Sequence, residues 1–194
     1  MASLVTGLCP SVHGIDSGAS WSESAKEGDD ALPFAVQSAL GPGQLTLAEV
    51  FHDQGFSTGA FVSNAYLSAA FGFSQGFDIY DDSHRDYMWS AGHIKRRGSD
   101  TNKSAFEWLD TAREAPFFLF VHYNDPHWPY IPPAPHGQEW VKSYKGSLTP
   151  ETTIQVVETL GAPVKGLSEA DLAYLIGLYD GETHYVDEVI KGLL

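Results

Sequence analysis

The chain has 194 residues, of which 43% are hydrophobic and 13% aromatic, so it can bury a core of at least domain size. Its formal net charge of −14 at pH 7 argues against nucleic acid and anionic membrane surfaces as partners, because both repel an acidic protein. A single cysteine excludes an internal disulfide, and no apolar run approaches the roughly 20 residues of a membrane span.

The first seven residues are typical of the end of a helix, which Gly7 closes. They lack the basic segment, the apolar stretch and the cleavage site of a signal peptide. Residues 8–44 are rich in Gly, Ser, Pro and Asp, which predicts an irregular connection with room for one short helix. Because the chain opens in mid-helix, we expect a longer protein to precede it.

A helix-to-strand unit follows this connection. Thr46 is a good helix cap, with Glu49 at the third position after it, and Gly55 ends the helix. Residues 57–63 are β-rich and predict a strand. A helix, a glycine and a strand in this order form half of a parallel α/β unit. The sequence therefore predicts an α/β fold with a mostly parallel sheet flanked by helices.

The rest of the chain predicts two further helices and one more strand. A long aromatic and aspartate-rich loop is expected over 68–92, followed by a helix from about Asp100 to Arg113. The continuous apolar run 117–121 predicts a strand covered on both faces. A last helix begins after Ser168 and continues to the end of the chain, which stops without a helix-ending signal.

Four polar side chains follow the strand at 117–121, where open α/β sheets place their ligand sites. Among them, His127 is the best candidate for catalysis, since an imidazole titrates near neutrality and can donate hydrogen bonds. The alternative is that His127 only stabilises its loop between two prolines. We interpret His122 as structural, and Asn124 and Asp125 either as turn residues or as groups that position His127.

Other residues of chemical interest have ordinary interpretations. Cys9 is expected to be a partly buried thiol and His13 a structural turn residue. The loop at 81–86 contains side chains that could hold a metal, but contiguous acidic loop residues are usually solvated. The basic cluster at 95–97 is expected to be a solvated loop or a helix start.

The last helix carries three more side chains that could bind a metal, Glu182, His184 and Asp187. Their spacings of two and five residues point them apart, although His184 and Asp187 could share a face. The three are therefore not expected to form one ligand set.

Five segments resemble, in order, the pattern of the sulfatases of the alkaline-phosphatase superfamily. They are TGLCPSVHG at 6–14, LAEVFHDQGF at 47–56, GFSQGFD at 72–78, FFLFVHYNDPHWPYIPP at 117–133 and YDGETHYVD at 179–187. Each match alone is weak, but together they span nearly the whole chain. The resemblance implies an alkaline-phosphatase-like fold and hydrolysis of sulfate esters of small molecules or glycans.

The resemblance also implies a divalent metal, commonly calcium, and a formylglycine nucleophile made from Cys or Ser. The motif that carries the nucleophile would lie just before Met1, and one pair of metal ligands would follow Leu194. We therefore expect residues 1–194 to be the middle portion of a sulfatase catalytic domain, inactive alone and without a tightly bound metal. Relatives are often periplasmic or secreted, which leaves the compartment of this chain open.

The resemblance places His127 at the sulfate or at the leaving-group oxygen. Many sulfatases carry Gly-Lys-Trp-His-Leu-Gly where this chain has SNAYLS at 63–68. Asn64 and Tyr66 thus replace a lysine and a histidine that grip sulfate, and they can donate hydrogen bonds without a permanent charge. This departure keeps three alternatives open: a divergent sulfatase, a phosphonate or phosphodiester hydrolase, and a non-catalytic relative that binds an anion or a partner protein. A calcium-independent hydrolase built on His127, His122 and Asp125 has no Gly-x-Ser-x-Gly motif to support it.

Overall fold

A computed structural model describes most of the chain as two compact units, Met1–Tyr123 and Asn124–Leu194. The described residues are 1–15, 19–21, 34–36, 39–83, 96–112, 116–150, 152–153 and 167–194. Among the described residues, the α-helices of the first unit are α1 Ala2–Thr6, α2 Pro10–His13, α3 Leu47–Asp53 and α4 Gly98–Thr111. Its strands are β1 Ala19–Trp21, β2 Phe34–Val36, β3 Ser57–Val62, β4 Ile79–Asp81 and β5 Phe117–His122. The second unit contains α5 Gln138–Val141 and α6 Glu169–Leu193.

A parallel three-stranded sheet in the order β4-β3-β5 organises the first unit. The central strand β3 is buried along almost its whole length, whereas β5 is half-buried and Phe117 is 49% exposed. The prediction of a parallel α/β sheet is confirmed. The prediction that both faces of β5 are covered is wrong for this chain, since none of the β5 side chains is fully buried among the described residues.

Local signals explain why the helices of the first unit begin and end where they do. Thr46 and Glu49 form the predicted capping box, in which each side chain accepts a hydrogen bond from the other's backbone N–H. Gly55 has a φ of 81°, a left-handed conformation that favours glycine.

Gly59 has a different role, since a Cβ atom there would lie 2.8 Å from the ring of Trp108. The missing side chain lets α4 pack closely against β3.

Two segments that were expected to be irregular contain strands. Within residues 8–44 the expected short helix is α2, but β1 and β2 also pair antiparallel there. Within residues 68–92 the short strand β4 pairs in parallel with β3. Three-residue strands are too short to show a clear alternation of apolar and polar residues, so their partners decide them. Residues 84–92 of that loop lie outside the described residues.

The long helix α6 organises the second unit. Ser168 caps its start, as predicted, and it forms a capping box with Asp171. Tyr144 stacks on Tyr174, with the ring centroids 4.1 Å apart. Gly181 allows the backbone at Gly137 to approach α6 closely, because a Cβ atom at position 181 would lie 2.8 Å from the Cα atom of Gly137. The segment before α5 therefore packs directly on the backbone of α6.

Among the described helices, none combines the length and the apolarity needed to cross a membrane.

Candidate functional site

The register of the parallel sheet brings three loops to one edge. Val62 pairs with His122, and Phe61 pairs with Asp81. The segments that begin at Ser63, Asp82 and Tyr123 therefore leave the sheet on the same side. The carboxyl ends of parallel strands are where open α/β sheets bind ligands. In the first unit, Ser63 and Asn64 follow β3 at this edge and His122 ends β5 there, whereas Asn124, Asp125 and His127 belong to the second unit.

Hydrogen bonds link the ends of β3 and β5. The buried Ser63 donates from Oγ to the carbonyl of His122 over 2.7 Å. Burial lowers the pKa of His122, which favours the neutral imidazole at pH 7. The contact from Ser63 is to the backbone carbonyl of His122 and not to its ring, so the structural interpretation of His122 stays a prediction.

Asn64 and Tyr66 lie close together just beyond β3. The side-chain oxygen of Asn64 accepts the backbone N–H of Tyr66 over 2.9 Å and thereby caps the 3₁₀ turn Ala65–Leu67. Asn64 is half-buried, whereas Tyr66 is 44% exposed. The carboxamide of Asn64 thus has a local structural role in addition to the predicted one.

The acidic segment after β4 contributes to the fold. Asp81 accepts from the buried Arg96 over 2.8 Å, and Asp82 accepts from the Ser68 hydroxyl over 2.8 Å and the Ala69 N–H over 2.9 Å. Burial opposes the ionisation of Asp81, but hydrogen bonds from Arg96 and Ser83 and the charge of Arg96 hold its pKa below the usual range. Arg96 is therefore not the solvated cation that was expected. His84, Asp86 and Lys95 lie outside the described residues.

The basic cluster at 95–97 was also considered as a helix start. This is confirmed for Arg97, which is the residue that precedes α4. Near the start of the chain, His13 is 5% exposed and contacts the Ser3 hydroxyl over 3.0 Å, as expected of a structural histidine. Cys9 is exposed and its Sγ contacts the Ser11 hydroxyl, so the expectation of a partly buried thiol is wrong.

The loop with His127 belongs to the second unit. The backbone N–H of His127 donates to the carbonyl of Asn124 over 3.0 Å, which closes a turn. Its Nδ1 lies 2.6 Å from the carbonyl oxygen of Trp128. A carbonyl can only accept, so this hydrogen bond requires the proton on Nδ1. The ring is exposed, whereas Asp125 is fully buried.

The three predicted site residues are thus divided between the two units, Asn64 and Tyr66 in the first and His127 in the second. Within the second unit, the fully buried Glu182 accepts the backbone N–H of Ile131 over 2.8 Å. This contact ties the segment that follows the His127 loop to α6.

Sequence reasoning missed one cluster of polar side chains. His136, His184 and Glu188 each offer an atom, and these atoms all lie within 4.8 Å of one another. His184 and Glu188 are one helical turn apart, which was a usable signal. The third member, His136, comes from a distant part of the chain and needed the tertiary structure.

A protein-family model of the sulfatases matches residues 2–194. The chain belongs to the sulfatase family. No curated protein matches the sequence significantly.

Solved structures agree with this assignment at the level of the fold. The sulfatase-family chain resembles the phosphonate monoester hydrolase of Agrobacterium radiobacter, with 17% identity, a TM-score of 0.56, and coverage of 99% of this chain and 48% of that one. A phosphonate monoester hydrolase from Silicibacter pomeroyi gives 14% identity, a TM-score of 0.54 and coverage of 97% and 47%. A protein solved with its substrate, D-glucosamine-2-N,6-O-disulfate, gives 15% identity, a TM-score of 0.61 and coverage of 100% and 50%.

The sulfatase-family chain thus spans about half the length of these solved structures. At these identities the likeness establishes the alkaline-phosphatase-like fold.

Proposed function

We propose that residues 1–194 are the middle portion of a catalytic domain that hydrolyses sulfate esters. The observation that carries the proposal is the family match over residues 2–194. The matched structures, which are about twice as long, support a larger domain. Sulfate ester hydrolysis also requires a nucleophile and a metal, which we assign to parts of the domain outside these residues. The isolated chain is accordingly proposed to be inactive.

His127 is the residue that we assign to the leaving group. The Trp128 carbonyl holds the Nδ1–H, which fixes the ring so that Nε2 is the atom that exchanges a proton. In the imidazolium form, Nε2 can donate that proton to the ester oxygen as the sulfur–oxygen bond breaks. The alcohol then leaves as a neutral molecule rather than as an alkoxide, which lowers the barrier. The exposure of the ring supports this role.

We assign Asn64 and Tyr66 to substrate binding at the carboxyl edge of the first unit's sheet. The side-chain oxygen of Asn64 is engaged by the Tyr66 N–H, so the amide nitrogen is the atom proposed to donate to an ester oxygen. The exposed Tyr66 supplies a hydroxyl donor. Neither side chain carries a permanent charge, so binding through them depends on hydrogen bonds.

Sulfatases generally use a divalent metal, and calcium prefers six to eight oxygen ligands. The described residues do not fit such a site. Asp81 and Asp82 already bind Arg96, Ser68 and Ala69. The one described group of three close ligand-type side chains contains two imidazoles. We therefore assign the calcium of the family, and the formylglycine, to sequence outside these residues.

Hydrolysis of phosphonate or phosphate esters is the second candidate. The specific observation in its favour is that Asn64 and Tyr66 stand where many sulfatases have a lysine and a histidine. Two of the structures with a similar fold are phosphonate monoester hydrolases. Both candidates keep the same role for His127, because each reaction releases an alcohol.

The coding DNA on both sides of the chain provides the first test. We expect an in-frame Cys-x-Pro-Ser/Thr or Ser-x-Pro-Ser/Thr just upstream, and Asp-His or Asp-Asn soon after Leu194. The longer protein is then assayed with an aryl sulfate, an aryl phosphodiester and an aryl phosphonate monoester. Turnover of the sulfate supports the main proposal, whereas preferred turnover of a phosphorus ester supports the second candidate.

His127 is tested in the same assay. His127→Gln in the longer protein is expected to lower kcat by about 10²–10⁴-fold, the usual contribution of a positioned general acid. The loss should be smaller for substrates whose leaving alcohols are more acidic. His52→Gln, on the exposed end of α3, is the matched control and should retain activity. Equal activity of both variants would overturn the role of His127, and binding of sulfate without any turnover would favour a non-catalytic relative.

A further inference from the structure

The second unit brings two imidazoles and a carboxylate together beside a pocket. His184 and Glu188 lie one turn apart on α6, and His136 lies just before α5. Nε2 of His136 lies 3.7 Å from Oε2 of Glu188, and Nε2 of His184 lies 3.7 Å from Oε1 of the same carboxylate. These three side chains are the only described group of three whose ligand atoms all lie within 4.8 Å of one another. The arrangement joins α6 to the segment before α5.

Neighbouring side chains contact the two histidines of this cluster. The ring of His136 packs against Tyr185, with centroids 5.4 Å apart, and its side chain is only 13% exposed. The Nδ1 atom of His184 is buried and lies 3.2 Å from Oε1 of Glu139, although the angle does not complete a hydrogen bond. A rotation of the half-exposed Glu139 would be needed to align the two groups. Nδ1 of His184 would then carry the proton, leaving the Nε2 lone pair toward Glu188.

In zinc sites, a histidine that binds the metal commonly donates its other ring N–H to a carboxylate, which orients the ring. Tetrahedral zinc with bonds of about 2.1 Å places its ligand atoms about 3.4 Å apart. The two distances of 3.7 Å are of this order but end on different oxygens of Glu188, so the proposed site requires the exposed Glu188 side chain to rotate until one oxygen faces both imidazoles. The pocket beside the cluster measures about 340 Å³ and also contacts Lys142. It leaves room for a water molecule as the fourth ligand.

We propose that His136, His184 and Glu188 bind one zinc ion, with Glu139 as the carboxylate that orients His184. Two imidazoles and one carboxylate match the ligand preference of zinc and differ from the oxygen-only sets that calcium prefers. This site is separate from the ester chemistry proposed above. It departs from the expectation that the chain binds no metal tightly. Its predicted effect is to fasten the segment before α5 to α6.

The alternative is that the cluster is only a set of ion pairs between glutamates and protonated histidines. Metal titration separates the two. The full 194-residue chain, prepared without a histidine tag, is titrated with zinc by calorimetry at pH 7.5, where an imidazole is mostly neutral. We expect one tight site per chain and a rise of Tm with zinc concentration. Cobalt in place of zinc should give visible absorption bands of a low-coordinate site, and millimolar calcium should not compete.

Four variants test the assignment. His184→Ala and Glu188→Gln should remove the tight site. Glu139→Gln should weaken zinc binding by about 10–100-fold, the usual effect of losing a group that orients a metal ligand. His52→Ala is the matched control, because His52 also lies 3.2 Å from a carboxylate, that of Asp78, but in the first unit. Circular dichroism verifies that each variant is folded. An affinity that His184→Ala leaves unchanged, or the absence of a 1:1 site in the folded wild-type chain, would overturn the proposal.

Discussion

The two units use the same kinds of polar side chain differently. In the first unit, Asp81 and Asp82 beside the sheet edge are engaged in hydrogen bonds that hold strands, turns and α4 together. In the second unit, His184 and Glu188 on α6 border a pocket, while the neighbouring Glu182 is buried against the backbone of Ile131. The comparison shows that a carboxylate or an imidazole can be assigned to a ligand site only after its contacts within the protein have been identified.

The first unit depends on a buried charge pair, and its removal should have the largest effect. Arg96→Met leaves the Asp81 carboxylate, whose side chain is 17% exposed, without its cation. Breaking such a pair on one side is expected to lower the free energy of unfolding by about 3–5 kcal/mol. Chemical denaturation of the chain measures this change.

Lys103→Met on the exposed face of α4 is the control, with an expected change within about 0.5 kcal/mol. The double variant Arg96→Met with Asp81→Leu should recover part of the loss, because no unpaired charge remains. Equal stability of Arg96→Met and Lys103→Met would mean that the pair does not stabilise the first unit.

The second unit depends on a buried acceptor, and its removal should have an intermediate effect. Glu182→Ala leaves the N–H of Ile131 without its carboxylate, which is expected to cost about 1–3 kcal/mol in unfolding free energy. Denaturant unfolding followed by near-ultraviolet circular dichroism reports the change. Asp187→Ala, exposed on the same helix, is the control. A Glu182→Ala variant as stable as the control would contradict this account of α6.

A pH effect at His122 is expected to be the smallest. Burial lowers the pKa of His122 below the unfolded value of about 6.5, so the native state disfavours the charged imidazole. The stability that this histidine contributes is therefore present above pH 6.5, and it is lost as the pH falls from there through the folded pKa. Urea midpoints between pH 7.5 and 5 should decline more for the wild type than for His122→Gln. Parallel curves for the two proteins would show that His122 has no part in the pH dependence.

Local signals in the sequence predicted the long elements of the fold. The capping residues Thr46 and Ser168 marked the starts of α3 and α6, because a side-chain oxygen there satisfies a backbone N–H that the helix leaves open. The short strands were not predicted. For example, β4 has only three residues and is defined by its pairing with β3. Arg96 was predicted to be solvated because its sequence neighbours are basic. Its partner Asp81 is 15 residues away.

The residue order alone was enough to predict the family and the parallel α/β class. It also located the segments that carry His127, Asn64 and Tyr66. These features depend on residue order and on helical or strand spacing, which a linear pattern records. The contacts between polar side chains that are far apart in the chain follow from the tertiary structure. It brought Asp81 to Arg96, Glu182 to Ile131, and His136 to the turn of α6 that carries His184. Such contacts join residues far apart in the chain, and only the packing of elements brings their atoms within bonding distance.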